Sequence, residues 1–131
     1  MGFPAACPEI PVGQLSPALD YYRTRLGFTV DWANEILGLA GLSRGACRLF
    51  MSSAQYRQGR AEPGGQVTAW LNADSRAHVD RIHSEWAASG AVLDGPPCAQ
   101  PWNLYEFLAR DLDGNRWRVF YDFTLEQARS G

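Results

Sequence analysis

Lysine is absent from this 131-residue chain, and histidine occurs only twice. All 12 basic residues are therefore arginine, set against 14 acidic ones for a formal charge of −2. So small a charge excludes the basic footprint that nucleic-acid binding requires, and the missing lysine reads as codon bias rather than a phosphate-binding pattern. Cysteine is scarce and odd in number. Cys7, Cys47 and Cys98 stand far apart with no CxxC pair, which argues against a disulfide framework and against a zinc site. No apolar run approaches the ~18 residues of a membrane span. The start, Met1-Gly2-Phe3-Pro4-Ala5-Ala6, lacks the basic run and apolar stretch of a signal peptide, and Ala6 occupies the place where myristoylation wants Ser or Thr. These absences set the expectation of a cytoplasmic protein with neither nucleic acid nor membrane as partner.

What the chain does have is aromatic content. Its length suits one domain, and 46% hydrophobic residues with 5 Trp, 5 Tyr and 6 Phe are ample for a packed interior. Five Trp exceed what a core of this size needs.

Periodicity predicts two helices among short strands. Ser16 is a suitable N-cap, with Pro17 following at the first helical position, where its missing N–H costs nothing. Leu19, Tyr22 and Leu26 come at helical spacing, and Gly27 can take the left-handed stop. In the second helix Asp74 or Ser75 caps, Val79, Ile82 and Trp86 form the apolar stripe, and Gly90 ends it. Strands are expected over 9–12, 28–32, 37–42 and 47–52, then over 67–72, 91–93, 105–109 and 116–121. Arg44-Gly45 and Asp113-Gly114-Asn115 turn the hairpins.

Each half then reads strand–helix–strand–strand–strand, a weak repeat carried by element order. The expected fold class is α+β: two βαβββ modules forming a cupped, mainly antiparallel sheet. Residues 1–131 make a single domain, with module one at about 7–56, a Gly-rich linker at about 57–65 and module two at about 66–123. A concave sheet is where a ligand should lie.

The residues offer little catalytic chemistry. His78 and His83 both fall on the second helix, and five residues turn about 140°, so they read as two solvated side chains rather than a ligand pair. No serine has a histidine nearby, and a Cys–His dyad has no His on a strand or loop edge. Glu9 and Glu106 could serve as acid or base, but single carboxylates on strands usually decorate an exposed face. No catalytic residue, metal site or cofactor is expected. Trp102 stands out, in Gln100-Pro101-Trp102-Asn103 after Gly95-Pro96-Pro97. An indole in a stiff loop at a sheet mouth either stacks on a flat ligand or folds back as a lid. Trp86 faces the core; Trp32 ends a strand beside Asp31, which would favour a cationic partner; Trp70 and Trp117 stay undecided.

The doubled arrangement resembles the vicinal oxygen chelate superfamily of glyoxalases, extradiol dioxygenases and bleomycin resistance proteins. Pro11-Val12, Ala18-Leu19-Asp20-Tyr21-Tyr22 and Arg25-Leu26-Gly27-Phe28 are similar to its opening motif. Ala40-Gly41-Leu42-Ser43-Arg44-Gly45 and Leu49-Phe50-Met51-Ser52 continue it, and Arg110-Asp111-Leu112-Asp113-Gly114-Asn115 resembles its closing hairpin. Gln100-Pro101-Trp102, Glu106-Phe107 and Asp31-Trp32 resemble the bleomycin resistance, antibiotic-binding group.

The resemblance implies a homodimer that holds a small molecule, such as a bleomycin-type antibiotic, in a cleft between subunits. It implies stacking by Trp102, an acidic partner in Asp31, and a cleft also lined by Trp32, Leu39, Ser52 and Glu106. Leu39 stands where bleomycin binders carry a second aromatic. The inward positions that hold metal ligands in the superfamily's enzymes fall on Cys7, Gln66 or Val67, and Arg118, and an arginine repels a divalent ion. The alternatives are a superfamily lyase, isomerase or dioxygenase with an altered metal site, and a small domain whose cleft is vestigial.

Overall fold

A computed structural model describes residues 1–62, 64–124 and 126; Pro63 of the expected linker lies outside them. The chain forms two compact units, Met1–Val67 with Leu112–Asn115, and Thr68–Asp111 with Arg116–Gly131. The architecture is α+β, with two mostly antiparallel sheets.

In the first unit, β1 (Glu9–Pro11) leads to α1 (Leu15–Thr24), then β2 (Thr29–Asn34), β3 (Leu39–Arg44), β4 (Cys47–Ser52) and a short α2 (Ala54–Gln58). The sheet order is β1-β4-β3-β2, with β1 parallel to β4 and the other pairs antiparallel. Alternate strand positions Ile10, Ala40, Leu42, Leu49 and Met51 are buried, as are Leu15, Ala18, Tyr21 and Tyr22 of the helix. Strand period 2 and helix period 3.6 thus supply one core. The N-cap of α1 is Gln14, not Ser16, and Gln14 makes no side-chain cap bond. Starting there carries Leu15 into the core on the helix's first turn. Pro17 then sits third in the helix, still among the N–H groups that lack an intrahelical acceptor, so it is tolerated. Gly27 does take the left-handed conformation, at φ 78°.

The hairpin tip Leu112–Asn115 belongs to this unit through its side chains. Asp113 Oδ1 accepts the Gly13 N–H at 2.8 Å. Asn115 accepts from Val67 N–H through Oδ1 and donates to the Pro11 carbonyl through Nδ2 at 2.8 Å. The closing Asp-Gly-Asn motif therefore does structural work, and Gly114 provides the positive φ that its turn needs.

The second unit runs β5 (Thr68–Asn72), α3 (Arg76–Ser89), β6 (Val92–Leu93), β7 (Cys98–Ala99), β8 (Leu104–Arg110) and β9 (Arg116–Asp122). Its order is β5-β9-β8-β6, with β7 also paired to β8. Ser75 caps α3 by accepting from His78 N–H, and Gly90 ends it at φ 86°, as expected. Trp86 on α3 meets Phe107 of β8 edge-on at 5.8 Å. Phe107, Ala109, Trp117 and Val119 thus form the face buried against the helix. Each buried Trp withdraws about 150–250 Å² from water, roughly 4–6 kcal/mol of transfer free energy.

Neither α2 nor β7 is expected from the sequence; each is too short to show a period. The histidines are not freely solvated. His78 Nδ1 accepts the Asp74 N–H at 3.0 Å. His83 packs edge-on to Phe107 at 4.9 Å and its Nε2–H donates to the Gly95 carbonyl at 3.2 Å.

Candidate functional site

Trp32 reaches a sheet face only because β2 is irregular. Val30 pairs with Leu42, but Trp32, not Asp31, pairs with Gly41. Asp31 is the extra residue of a β-bulge, and a one-residue shift moves every later side chain to the opposite face. Trp32 is thereby turned away from the buried Ala40 and onto Gly41, whose missing side chain makes room for the indole. A Cβ on Gly41 would lie 2.4 Å from Trp32 Nε1. Phe50 flanks the indole at 6.0 Å and 55°. Trp32 keeps 42% of its surface exposed, so the sheet carries a seated, half-open aromatic. Asp31 is exposed, and its Oδ1 accepts from Ser43 Oγ at 3.1 Å.

Leu39 and Ser52 pair with each other across β3 and β4, two positions from Gly41 on the same face. Leu39 is half-buried. Ser52 is fully buried, contrary to its expected role at the cleft surface. Arg57 closes over it, donating to the Ser52 carbonyl and to Ser52 Oγ, and to the Val12 carbonyl at 3.1 Å. Ser52 thus offers no surface to a ligand and serves the Arg57 clasp.

In the second unit Trp102 is 57% exposed. Its loop is closed on both sides: Gln100 N–H donates to the Leu104 carbonyl at 2.9 Å, Asn103 N–H to Gln100 at 3.0 Å, and Phe123 N–H to Asn103 at 3.0 Å. Asn103 takes φ 67°, a left-handed conformation that Asn tolerates best after Gly. The indole is not folded back as a lid; it stands out from a braced turn.

Glu106 is not on an exposed face; it is 2% exposed. It lies opposite Phe120 on β9 and Cys98 on β7, on the face away from α3. Oε1 accepts from Arg118 Nη1 at 3.2 Å, while the buried Oε2 has no hydrogen-bond partner among the described residues. Arg118 lies over the Trp70 ring, 5.1 Å from its centroid, and Trp70 meets Phe120 edge-on at 5.6 Å. Trp70 stays 49% exposed, while Trp117 is 1% exposed. These two undecided tryptophans separate by strand parity, Trp70 facing away from the helix and Trp117 towards it.

The structure therefore brings Asp31, Trp32 and Leu39 together on the first sheet, with Ser52 beneath, and puts Trp102 and Glu106 in the second unit. Sequence reasoning missed Gly41, Phe50, Trp70 and Arg118 as their neighbours. Alternation along β4 was the available signal for Phe50, which lies two residues from Ser52. A cleft of about 420 Å³ at the start of α1 is lined by residues such as Gln14, Glu35 and Gln55 and by none of the expected site residues. It has no ring to stack on.

Among the described residues, three groups are shifted from their usual ranges. Tyr105 is raised, first because its hydroxyl donates to Asp80 Oδ1 at 2.7 Å. Burial raises the Cys47 thiol, with the Cys7 thiol adding to the effect. Hydrogen bonds from Thr124 lower Asp122.

The residues do not fit a divalent metal. Among the described residues no group of three or more His, Cys, Asp and Glu could hold an ion. Arg118, at the position where the sequence resemblance expects an enzyme's metal ligand, brings a cation with no lone pair to give, and it already engages Glu106.

Comparison with known proteins adds kinship. A family model described as Glyoxalase/Bleomycin resistance protein/Dioxygenase superfamily matches residues 5–119. A comparison with curated proteins gives no match. Among solved structures, the bleomycin-binding protein from bleomycin-producing Streptomyces verticillus, complexed with copper(II)-bleomycin, is 26% identical. It has TM-score 0.68, with 91% of this chain and 96% of that chain covered. A glyoxalase/bleomycin resistance protein/dioxygenase from Nocardioides is 22% identical at TM-score 0.75, covering 92% and 85%. Lactoylglutathione lyase from Agrobacterium tumefaciens is 22% identical at TM-score 0.69, covering 90% and 94%. The last two show the fold alone.

Proposed function

Because the chain belongs to the glyoxalase/bleomycin resistance protein/dioxygenase superfamily, we propose that it is a non-catalytic protein that sequesters a planar, cationic small molecule of the bleomycin type. The superfamily holds both enzymes and binding proteins, and the choice rests on one observation. Trp102 stands exposed on a turn fixed by three backbone hydrogen bonds, so it presents a ring from a loop whose backbone has little ordering entropy left to lose on binding.

Trp102 stacks on the flat part of the ligand. Trp32, seated on Gly41, offers a second ring, and Leu39 lines the same sheet face. Asp31 meets the cationic part, for a carboxylate beside an aromatic face favours positive charge. Two copies of the chain form the binding unit, with the ligand between them. The likeness to a bleomycin-binding protein supports the ligand class. Arg118, at a position where a metal-dependent enzyme needs a ligand, speaks against catalysis.

Isothermal titration with metal-free bleomycin tests this reading. Saturable binding is expected, weakened about five- to tenfold by Trp102→Ala, since stacking contributes about 1–1.5 kcal/mol. Undiminished binding by the variant removes the stacking role. Absence of binding to any drug of the class overturns the sequestration reading.

A further inference from the structure

We infer that the cleft at the start of α1 is a second recognition site, for a neutral monosaccharide. Its volume of about 420 Å³ falls within the range of small-ligand sites, and it lies wholly in the first unit. Three segments wall it: the start of α1 with Gln14, Ser16 and Pro17, the β2–β3 turn with Glu35, and the start of α2 with Ser53 and Gln55. The chain's own hydrogen bonds tie these segments together. Ala54 N–H donates to the Gly13 carbonyl at 3.1 Å, and Ser53 N–H to the Gly38 carbonyl at 2.8 Å. Gln55 Nε2 donates to the Ile36 carbonyl at 3.0 Å. The cleft is pre-formed, so binding has little backbone left to order.

Its polar groups are largely unspent. Ser53 is 5% exposed. Its Oγ accepts the Tyr56 N–H at 3.2 Å, but as a donor the hydroxyl has no acceptor among the described residues. A buried donor left unpaired is costly, and this one lines the cleft. Gln14 makes no cap bond, and Glu35 has no hydrogen bond or ion pair among the described residues. Gln55 spends an N–H on Ile36 and keeps Oε1 as an acceptor. Hydroxyl and amide donors thus stand with amide and carboxylate acceptors, and a sugar hydroxyl answers both because one oxygen donates and accepts. Other classes fit worse. No cationic side chain lines the cleft, so Glu35 repels an anion. A cation would answer Glu35 but leave Ser53 unanswered and face the N–H groups of the first turn of α1. A flat aromatic finds no ring, whereas Pro17 offers an apolar patch to the C–H face of a sugar.

The test titrates D-glucose, D-galactose and D-mannose into the full chain, with ethylammonium and acetate as charged controls, and follows backbone and side-chain amide signals by heteronuclear NMR. At least one sugar is expected to shift the Gln14, Ser16, Gly38 and Gln55 signals together and saturably, in the millimolar range or tighter. Neither ion should do so at the same concentration. Glu35→Ala should weaken the sugar about tenfold, as loss of a hydrogen bond to a charged group does, and Gln55→Ala about fivefold, as for a neutral one. Both side chains are exposed, so neither variant touches the core. Absence of these shifts with every sugar, shifts that never saturate, equal binding of either ion, or full affinity in both variants would each overturn the inference. The methyl glycoside of the sugar that binds separates two sources: equal affinity marks a sugar carried on a larger molecule, and loss marks the free sugar. None of these signals reports on Trp102. Failure here therefore leaves the bleomycin reading standing, and failure of the drug titration leaves this site standing.

Discussion

The two sheets share a strand plan but spend the face opposite their cores differently. In the first, β2, β3 and β4 align Trp32, Gly41 and Phe50, an apolar row with a glycine gap for the indole. In the second, β5, β9 and β8 align Trp70, Arg118 and Leu108, and Glu106 sits buried behind the guanidinium. One sheet offers a ring on a neutral bed, the other a ring on an ion pair. The core faces are alike in kind, because any sheet against a helix must be apolar. The opposite faces carry no such constraint, and chemistry diverges there.

Mutations can break that contrast, and the largest effect belongs to the core. Trp117→Ala should destabilise by about 3–5 kcal/mol, whereas Trp70→Ala, one strand over on the opposite face, should cost under about 1 kcal/mol. Denaturant midpoints compare them, and equal losses would erase the distinction between the faces. Arg118→Met should cost about 3 kcal/mol, the low end for breaking a buried pair, because Arg118 is itself partly exposed. Phe50→Leu, its counterpart on the first sheet, breaks no ion pair and should stay below about 1.5 kcal/mol.

Gly41→Ala should cost about 1–3 kcal/mol by overpacking. It should also expel the Trp32 indole and shift its emission to the red; an unshifted spectrum would mean that the seat is not what holds the ring.

The smallest effect is alkaline. The Tyr105 hydroxyl is raised by donating to Asp80, so its contribution to stability is full below the usual tyrosine range, about pH 10. It is lost as pH climbs through the raised value. Stability of Tyr105→Phe should lack that alkaline decline, which equilibrium unfolding between about pH 9 and 11 would reveal.

Element order was readable because glycine stops and period-2 strands recur in each half. The start of α1 misled because Ser16-Pro17 is a strong local signal, yet Leu15 belongs to the core and extends the helix past it. At the site, Trp102 was legible from its loop. Glu106 was not, because what buries it and pairs it lies on other strands. The seat of Trp32 depends on a bulge at Asp31, and nothing local in Val30-Asp31-Trp32 announces a skipped pairing. Ser52 looked available until Arg57, five residues on, covered it.

The central claim is that Trp102 meets a planar ligand without metal. Fluorescence of the protein in chelator, titrated with metal-free bleomycin beside Trp102→Phe and Trp102→Ala, addresses it most directly. The account predicts saturable quenching, partly kept by Phe and lost or weakened about five- to tenfold by Ala. Quenching identical in all three proteins, or a signal that appears only when a divalent metal is restored, would contradict it.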